Sequence, residues 1–144
     1  MELNDGAEDR TIDVADPNVQ QVVRTWLTAE EVIEKLERAG RHTTAAAIHQ
    51  RRRRGRLLGA RVDGRWRYAP FQFEQGQVRD DVETLLRLVT CRWPADIASW
   101  FVLSSEELGG QSPQDLLLSG GLTRGLREVA REFGRSDWVT RDLP

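Results

Sequence analysis

With one cysteine, Cys91, the chain has no means of closing an intrachain disulfide or building a cysteine-based zinc site. This fits a reducing compartment, and a cytoplasmic location is expected. Its two histidines, His42 and His49, bracket a predicted helix start and have no cysteine or matched carboxylate pair beside them, so no metal is expected. Long apolar runs are also missing. Nothing approaches the roughly eighteen uninterrupted apolar residues of a membrane helix, and MELNDGAEDR has neither the basic nor the apolar region of a secretory signal. No membrane partner is expected. There is no phosphate-binding loop, dinucleotide fingerprint or nucleophile elbow. The pairs Glu30-Glu31, Asp80-Asp81 and Glu106-Glu107 fall in predicted first turns or a loop, where carboxylates already have a structural purpose. Neither an enzyme nor a cofactor is expected.

What is present is arginine. Lys35 is the sole lysine among 21 basic residues, and the arginines are bunched. From Arg41 to Arg67 nine arginines face one acid, Asp63, a local charge of +8 in a chain whose net charge is -2. The remainder is therefore acidic by about ten charges. With 144 residues, 39% hydrophobic and 31% charged, the chain suits one ordinary domain or two small ones with a modest core. Residues 1–24 carry six acids, two arginines and few large apolar groups, and are expected to be a disordered acidic tail.

Order is expected from about Trp26. Thr28 is a helix N-cap with Glu31 as its capping-box partner; Ala29, Val32, Ile33, Leu36 and Ala39 share a face, and Gly40 ends the helix. A three-residue link, GRH, leads to a second helix capped by Thr43 or Thr44, rich in alanine and ended by Gly55. Two helices joined so tightly are a helix-turn-helix arrangement. Asp63-Gly64 then marks a two-residue hairpin turn, and alternation puts Arg65 and Arg67 on one face of the ribbon, Trp66 and Tyr68 on the other. Four further helices follow. Val78, Val82, Leu85, Leu86 and Val89 form the stripe of the first; Pro94 opens the second, with Ile97, Trp100 and Phe101 inward; Ser112 and Pro113 open the third, which stops at Gly120-Gly121; Leu122, Leu126, Val129, Ala130 and Phe133 align on the fourth. The Val78–Val89 stripe is a candidate dimer seam as much as a core face.

An arginine run at a helix C-terminus is often just a solvated end, stabilised by the helix dipole. Here the charge continues into the hairpin through Arg56, Arg61, Arg65 and Arg67, a helix-plus-ribbon distribution suited to duplex DNA. Candidate base-reading residues are Thr43, Thr44, Ala47, His49, Gln50 and Arg51. Arg52, Arg53, Arg54, Arg56, Arg61, Arg65 and Arg67 are candidate phosphate contacts.

LTAEEVIEKL, RRGRLLGARVDGRWRY and FQF, within residues 27–73, resemble the excisionase and MerR-type winged-helix family. The helix link ERAGRHTTAA departs from that family's usual turn. WFVLSSEELGGQSPQDLLLSG, within residues 79–134, resembles the toxin-binding C-terminal domain of Xre/MbcA/ParS antitoxins through Trp100, Leu108, Gly109, Gly110, Ser112, Pro113 and Leu116. Ser104-Ser105 stands where that family often has Pro-Asn.

The resemblances imply a mainly α protein: residues 25–76 a winged helix-turn-helix with a small β-hairpin, and residues 77–144 a four-helix domain for toxin binding or oligomerisation. They imply an antitoxin of a type II toxin-antitoxin system, which binds operator DNA as a homodimer and neutralises a cognate toxin of the NAD-consuming RES type. Arg127, Arg131, Arg135, Asp137, Trp138 and Arg141 are the implied toxin contacts, although Trp138 equally suits packing on its own helices. The other reading is a stand-alone MerR- or excisionase-like regulator or architectural factor whose second half serves only to oligomerise.

Overall fold

The computed structural model describes residues 13–89 and 92–135. Among these it is mainly helical, with a small antiparallel hairpin. No helix among them is long and apolar enough to cross a membrane.

The first element corrects the expectation of a disordered tail up to residue 24. Pro17–Val23 form helix α1, started by Asp16, whose carboxylate accepts from the Asn18 N–H at 2.8 Å, and by Pro17 in the first turn. Three valines suffice to fix it. Val14, Val19 and Val23 are all buried, α1 touches β1 and α5, and the Val14 N–H donates to the Arg61 carbonyl at 2.9 Å. Residues 1–12 lie outside the described residues.

Helix α2 (Ala29–Arg38) has the complete capping box: Thr28 Oγ1 accepts from the Glu31 N–H, and the Glu31 carboxylate accepts from the Thr28 N–H. Helix α3 (Ala45–Arg53) is capped by Thr44, which accepts from the Ala47 N–H at 3.1 Å. It ends in a tight reversal: Gly55, at φ 73°, donates to the Arg52 carbonyl and Arg56 to the Arg51 carbonyl, both at 2.9 Å.

Strands β1 (Gly59–Val62) and β2 (Arg65–Tyr68) pair antiparallel with Arg61 opposite Trp66 and Ala60 opposite Arg67. Asp63 and Gly64 turn at φ 55° and 76°, as an Asp-Gly hairpin requires. Both edges are covered, β1 by Val14 and β2 by an antiparallel bridge between Tyr68 and Leu27. A second, shorter ribbon follows, β3 (Phe73–Glu74) with β4 (Gln77–Val78), turning at Gln75 and Gly76. Val78 therefore belongs to a strand and not to the next helix.

The four expected helices come next: α4 (Asp80–Val89), α5 (Pro94–Val102), α6 (Pro113–Gly120) and α7 (Arg124–Arg135). Ser112 caps α6 by accepting from the Asp115 N–H at 3.0 Å. Helices α4 and α7 pack together, and Val82, Leu85, Leu86 and Val89 are buried within the chain. That stripe is core and is not available as a dimer seam. Gly134 allows the contact to be this close, since a Cβ there would overlap the Leu88 carbonyl oxygen.

Residues 25–76 and 77–135 do not have separate interiors. One hydrophobic cluster runs from Val14 to Ala130, and α5 packs directly on β1. On the N-terminal side of this junction Gln72, fully buried, accepts from the Leu58 N–H at 2.8 Å and donates to the Leu58 and Ala69 carbonyls, each at 2.9 Å. Its own backbone carbonyl accepts from Arg79 at 2.8 Å, just before α4 begins.

Candidate nucleic-acid interface

The arginine-rich segment does not form one plate. Helical phase and strand pleat divide it.

On α3, Ile48 points into the core and His49 and Arg52 point at the hairpin. The Tyr68 hydroxyl sits 2.9 Å from His49 Nδ1 and accepts from Arg52 Nε at 3.3 Å, while the Arg52 guanidinium lies 3.7 Å over the Trp66 ring. Burial pushes the Tyr68 hydroxyl pKa up, against the lowering influence of Arg52 and Arg53. His49 and Arg52 thus fasten α3 to the ribbon and are not offered to bases. Arg51 turns towards α4, where its Nη2 lies 3.8 Å from a Glu83 carboxylate oxygen.

The exposed side of α3 carries Ala46, Gln50 and Arg53, and the C-cap Arg54 continues it. At 3.6 residues per turn they fall within an arc of about 100°. Thr43 and Ala47 are half-buried at its margin, and Thr44 is exposed but serves as the cap. Of the base-reading residues named from the sequence, the fold leaves Gln50 fully outward and turns His49 and Arg51 aside. Ala46 was not foreseen, although its position four residues before Gln50 is the signal that would have found it.

The hairpin separates its own arginines. Because Arg61 pairs with Trp66, it lies on the face opposite to Arg65 and Arg67. Its Nε donates to Asp13 Oδ1 at 2.7 Å, and Asp13 Oδ2 accepts from the Gly64 N–H at 3.0 Å. The bond from Arg61 holds the Asp13 carboxyl below its usual pKa. Arg61 is therefore satisfied by the chain's own carboxylate, which removes it from the phosphate-contact set. Arg67 turns inward as well, with Nη1 donating to the Trp26 carbonyl at 3.2 Å. At the tip, Arg24 holds Asp63 through two bonds, 2.9 and 3.1 Å, so this exposed carboxyl is also shifted down and the Arg24 guanidinium up. Arg56 and Arg65 remain exposed.

From Arg51 to Arg67 the exposed arginines are Arg53 on α3, Arg54 and Arg56 just after it, and Arg65 on β2, with Gln50 beside them. The Arg52–Trp66 stack fixes the ribbon beside the helix. A rigid helix face carrying an amide and guanidinium groups, flanked by a charged ribbon, has the chemistry to bridge phosphates and to reach base edges.

A second surface lies on the C-terminal helices. Arg127, Arg131 and Arg135 recur every four residues along α7; Arg131 and Arg135 are exposed and Arg127 is half-buried. Arg135 lies 3.4 Å from Glu132. Asp137, Trp138 and Arg141 lie outside the described residues. On the same helix Phe133 stacks on Trp100, with ring centres 5.3 Å apart and planes 9° from parallel. Beside this pair is an open cavity of about 360 Å³ that Asp96, Leu103 and Ser105 also line. The segment LSSEELGGQS forms a closed turn: Ser105 and Gln111 bridge, and Gly109 and Gly110 both take positive φ. Trp93 and Leu118, which as large apolar residues are expected in the core, are instead 47% and 55% exposed.

No family model, curated protein or solved structure matches the chain.

Proposed function

We propose that the protein is a DNA-binding antitoxin. In this reading α2, α3 and the β1–β2 hairpin work as a winged helix-turn-helix on operator DNA, and the C-terminal helices neutralise a cognate toxin of the NAD-consuming RES type by direct binding. One observation carries it: Gln50 and Arg53 of α3 and Arg54 just after it are exposed on one side of the helix. Gln50 has the bidentate amide that pairs with adenine, and the guanidinium groups are donors for phosphates or guanine. The toxin half is supported by the antitoxin-like LGGQSP segment and by the arginine row on α7. A palindromic operator would need a homodimer; with the α4 stripe buried, the exposed large apolar groups among the described residues that could form it are Trp93, Leu103 and Leu118.

A free-standing regulator or architectural factor is the second reading. It draws support from the shared core, in which α4 and α5 complete the interior of the DNA-binding half.

DNA binding is tested on the full chain by the salt dependence of affinity for duplex. Arg53→Ala with Arg54→Ala should lower the slope of log K against log salt by roughly one to two units, and Arg61→Gln should leave it unchanged. An unchanged slope in the double variant ends the DNA assignment. The full chain is then co-expressed with the product of the adjacent reading frame. Rescue of growth that is lost in Arg127→Glu with Arg131→Glu supports neutralisation; no rescue by the wild-type chain leaves the regulator.

A further inference from the structure

The turn of the β1–β2 hairpin carries the single acid of the arginine-rich segment. Between Arg41 and Arg67 Asp63 is the one carboxylate, and its side chain is 63% exposed at the tip of the ribbon. Like charges in water repel over about one Debye length, roughly 10 Å at 0.1 M salt. A bare aspartate at this tip would therefore oppose a phosphate brought to Arg65, two residues on and exposed.

The carboxylate is covered by an arginine from another element. Arg24 donates from Nε to Asp63 Oδ2 at 2.9 Å and from Nη2 to Oδ1 at 3.1 Å, so one guanidinium engages both oxygens. Helix α1 brings it there. Arg24 is the C-cap residue of α1, its N–H donates to the Gln20 carbonyl at 2.9 Å, and α1 packs on β1 with Val19 and Val23 buried. The segment grips the turn a second time through Asp13, whose Oδ2 accepts from the Gly64 N–H at 3.0 Å. Because Arg24 and Asp63 are both well exposed, at 45% and 63%, their pairing contributes little to folding. Its larger effect is on charge at the tip.

We propose that Arg24 is a positioning residue of the DNA interface, acting through Asp63: by cancelling the charge of that carboxylate it lets the hairpin tip approach phosphates. This rests on the DNA-binding reading and adds to it a residue of α1, outside the arginine-rich segment.

Arg24→Gln, Asp63→Asn and the double variant are compared with wild type as full chains, by affinity for duplex DNA taken from upstream of the protein's own reading frame, at about 50 and about 200 mM salt. Asn-Gly suits the same turn as Asp-Gly, so Asp63→Asn removes the charge and keeps the path of the chain. Arg24→Gln should bind about three- to ten-fold more weakly at the lower salt, and the loss should shrink at the higher. Asp63→Asn should bind at least as tightly as wild type, with a salt slope steeper by up to about one unit because Arg24 is released. The double variant, with no charge left to cancel, should return to within about two-fold of wild type, a recovery that a merely structural role for Arg24 does not give. Wild-type affinity in Arg24→Gln, a loss that does not depend on salt, or a double variant as weak as Arg24→Gln overturns the proposal and leaves DNA binding standing. No duplex binding by the wild-type chain overturns both. Should Arg24→Gln fold poorly, Asp63→Asn decides alone: weaker binding than wild type refutes the charge argument, and equal or tighter binding upholds it.

Discussion

Replacing Gln72 by leucine keeps a buried side chain of similar bulk and deletes every polar contact of that side chain. Gln72 is fully buried and satisfies three backbone groups. The two carbonyls it serves keep other donors, since Leu58 O also accepts from Ala69 N at 3.1 Å and Ala69 O from Gln72 N at 3.5 Å. The Leu58 N–H would lose the Gln72 side-chain oxygen that accepts from it. One orphaned buried donor costs about 1–3 kcal/mol, and two weakened carbonyl contacts add about 0.5 kcal/mol each, so a loss of about 2–4 kcal/mol is expected. That is a large part of the roughly 5–15 kcal/mol typical of a domain. Equilibrium urea unfolding followed by far-ultraviolet circular dichroism measures it as a fall in midpoint at constant slope. Gln72→Glu supplies the control. Its carboxylate would face two carbonyl oxygens without water, so its folded pKa should rise above the unfolded value of about 4.3. A raised acid pKa is a penalty that is absent below the unfolded value and grows as pH climbs towards the folded one, so the glutamate variant should lose more stability at neutral pH than near pH 4. A Gln72→Leu chain within about 0.5 kcal/mol of wild type would refute the reasoning, because a buried orphan N–H cannot be that cheap.

Asp13→Asn should cost about 1 kcal/mol or less at neutral pH, because the Asp13–Arg61 pair is only partly shielded, at 38% and 28% side-chain exposure. The Asp13 pKa is depressed, so its stabilisation is full above the ordinary carboxylate range and disappears as pH falls through it; urea midpoints of the two chains should converge at acid pH. Gly134→Ala should lower stability by about 1–3 kcal/mol by pushing α7 off the Leu88 carbonyl, read by thermal unfolding; an unchanged melting temperature would mean the two helices do not meet there. Trp66→Ala should free the ribbon from Arg52 and speed amide exchange at Arg65–Arg67, while an unchanged rate would show that the stack does not restrain the hairpin.

Local chemistry was the legible part. The capping box at Thr28 and Glu31, the Ser112 cap, and the Asp63-Gly64 turn each depend on residues no more than three apart, and all form as read. Interactions between distant residues were not legible. Gln72 looks like an ordinary polar residue in FQF until the fold brings Leu58 against it, and Asp13 looks like part of an acidic tail until Arg61 arrives from 48 residues away. Helix α1 was missed because its few valines are too sparse to signal a core by themselves; β1 and α5 supply the groove that makes them sufficient. The basic segment shows both sides. Its charge density was obvious, but which guanidinium groups face outward depends on the phase of α3 and the pleat of β1, and these set Arg61, Arg67 and His49 to other tasks.

The unbroken interior from Val14 to Ala130 has a practical corollary for anyone cutting the chain. Severing it between Gly76 and Gln77 would part β1 from α5, which packs on it, and uncover buried apolar residues on both sides, so neither piece should behave as a well-mannered soluble fragment. Inheritance follows the same logic: recombination swapping one half for a relative's would also have to transplant the matching seam.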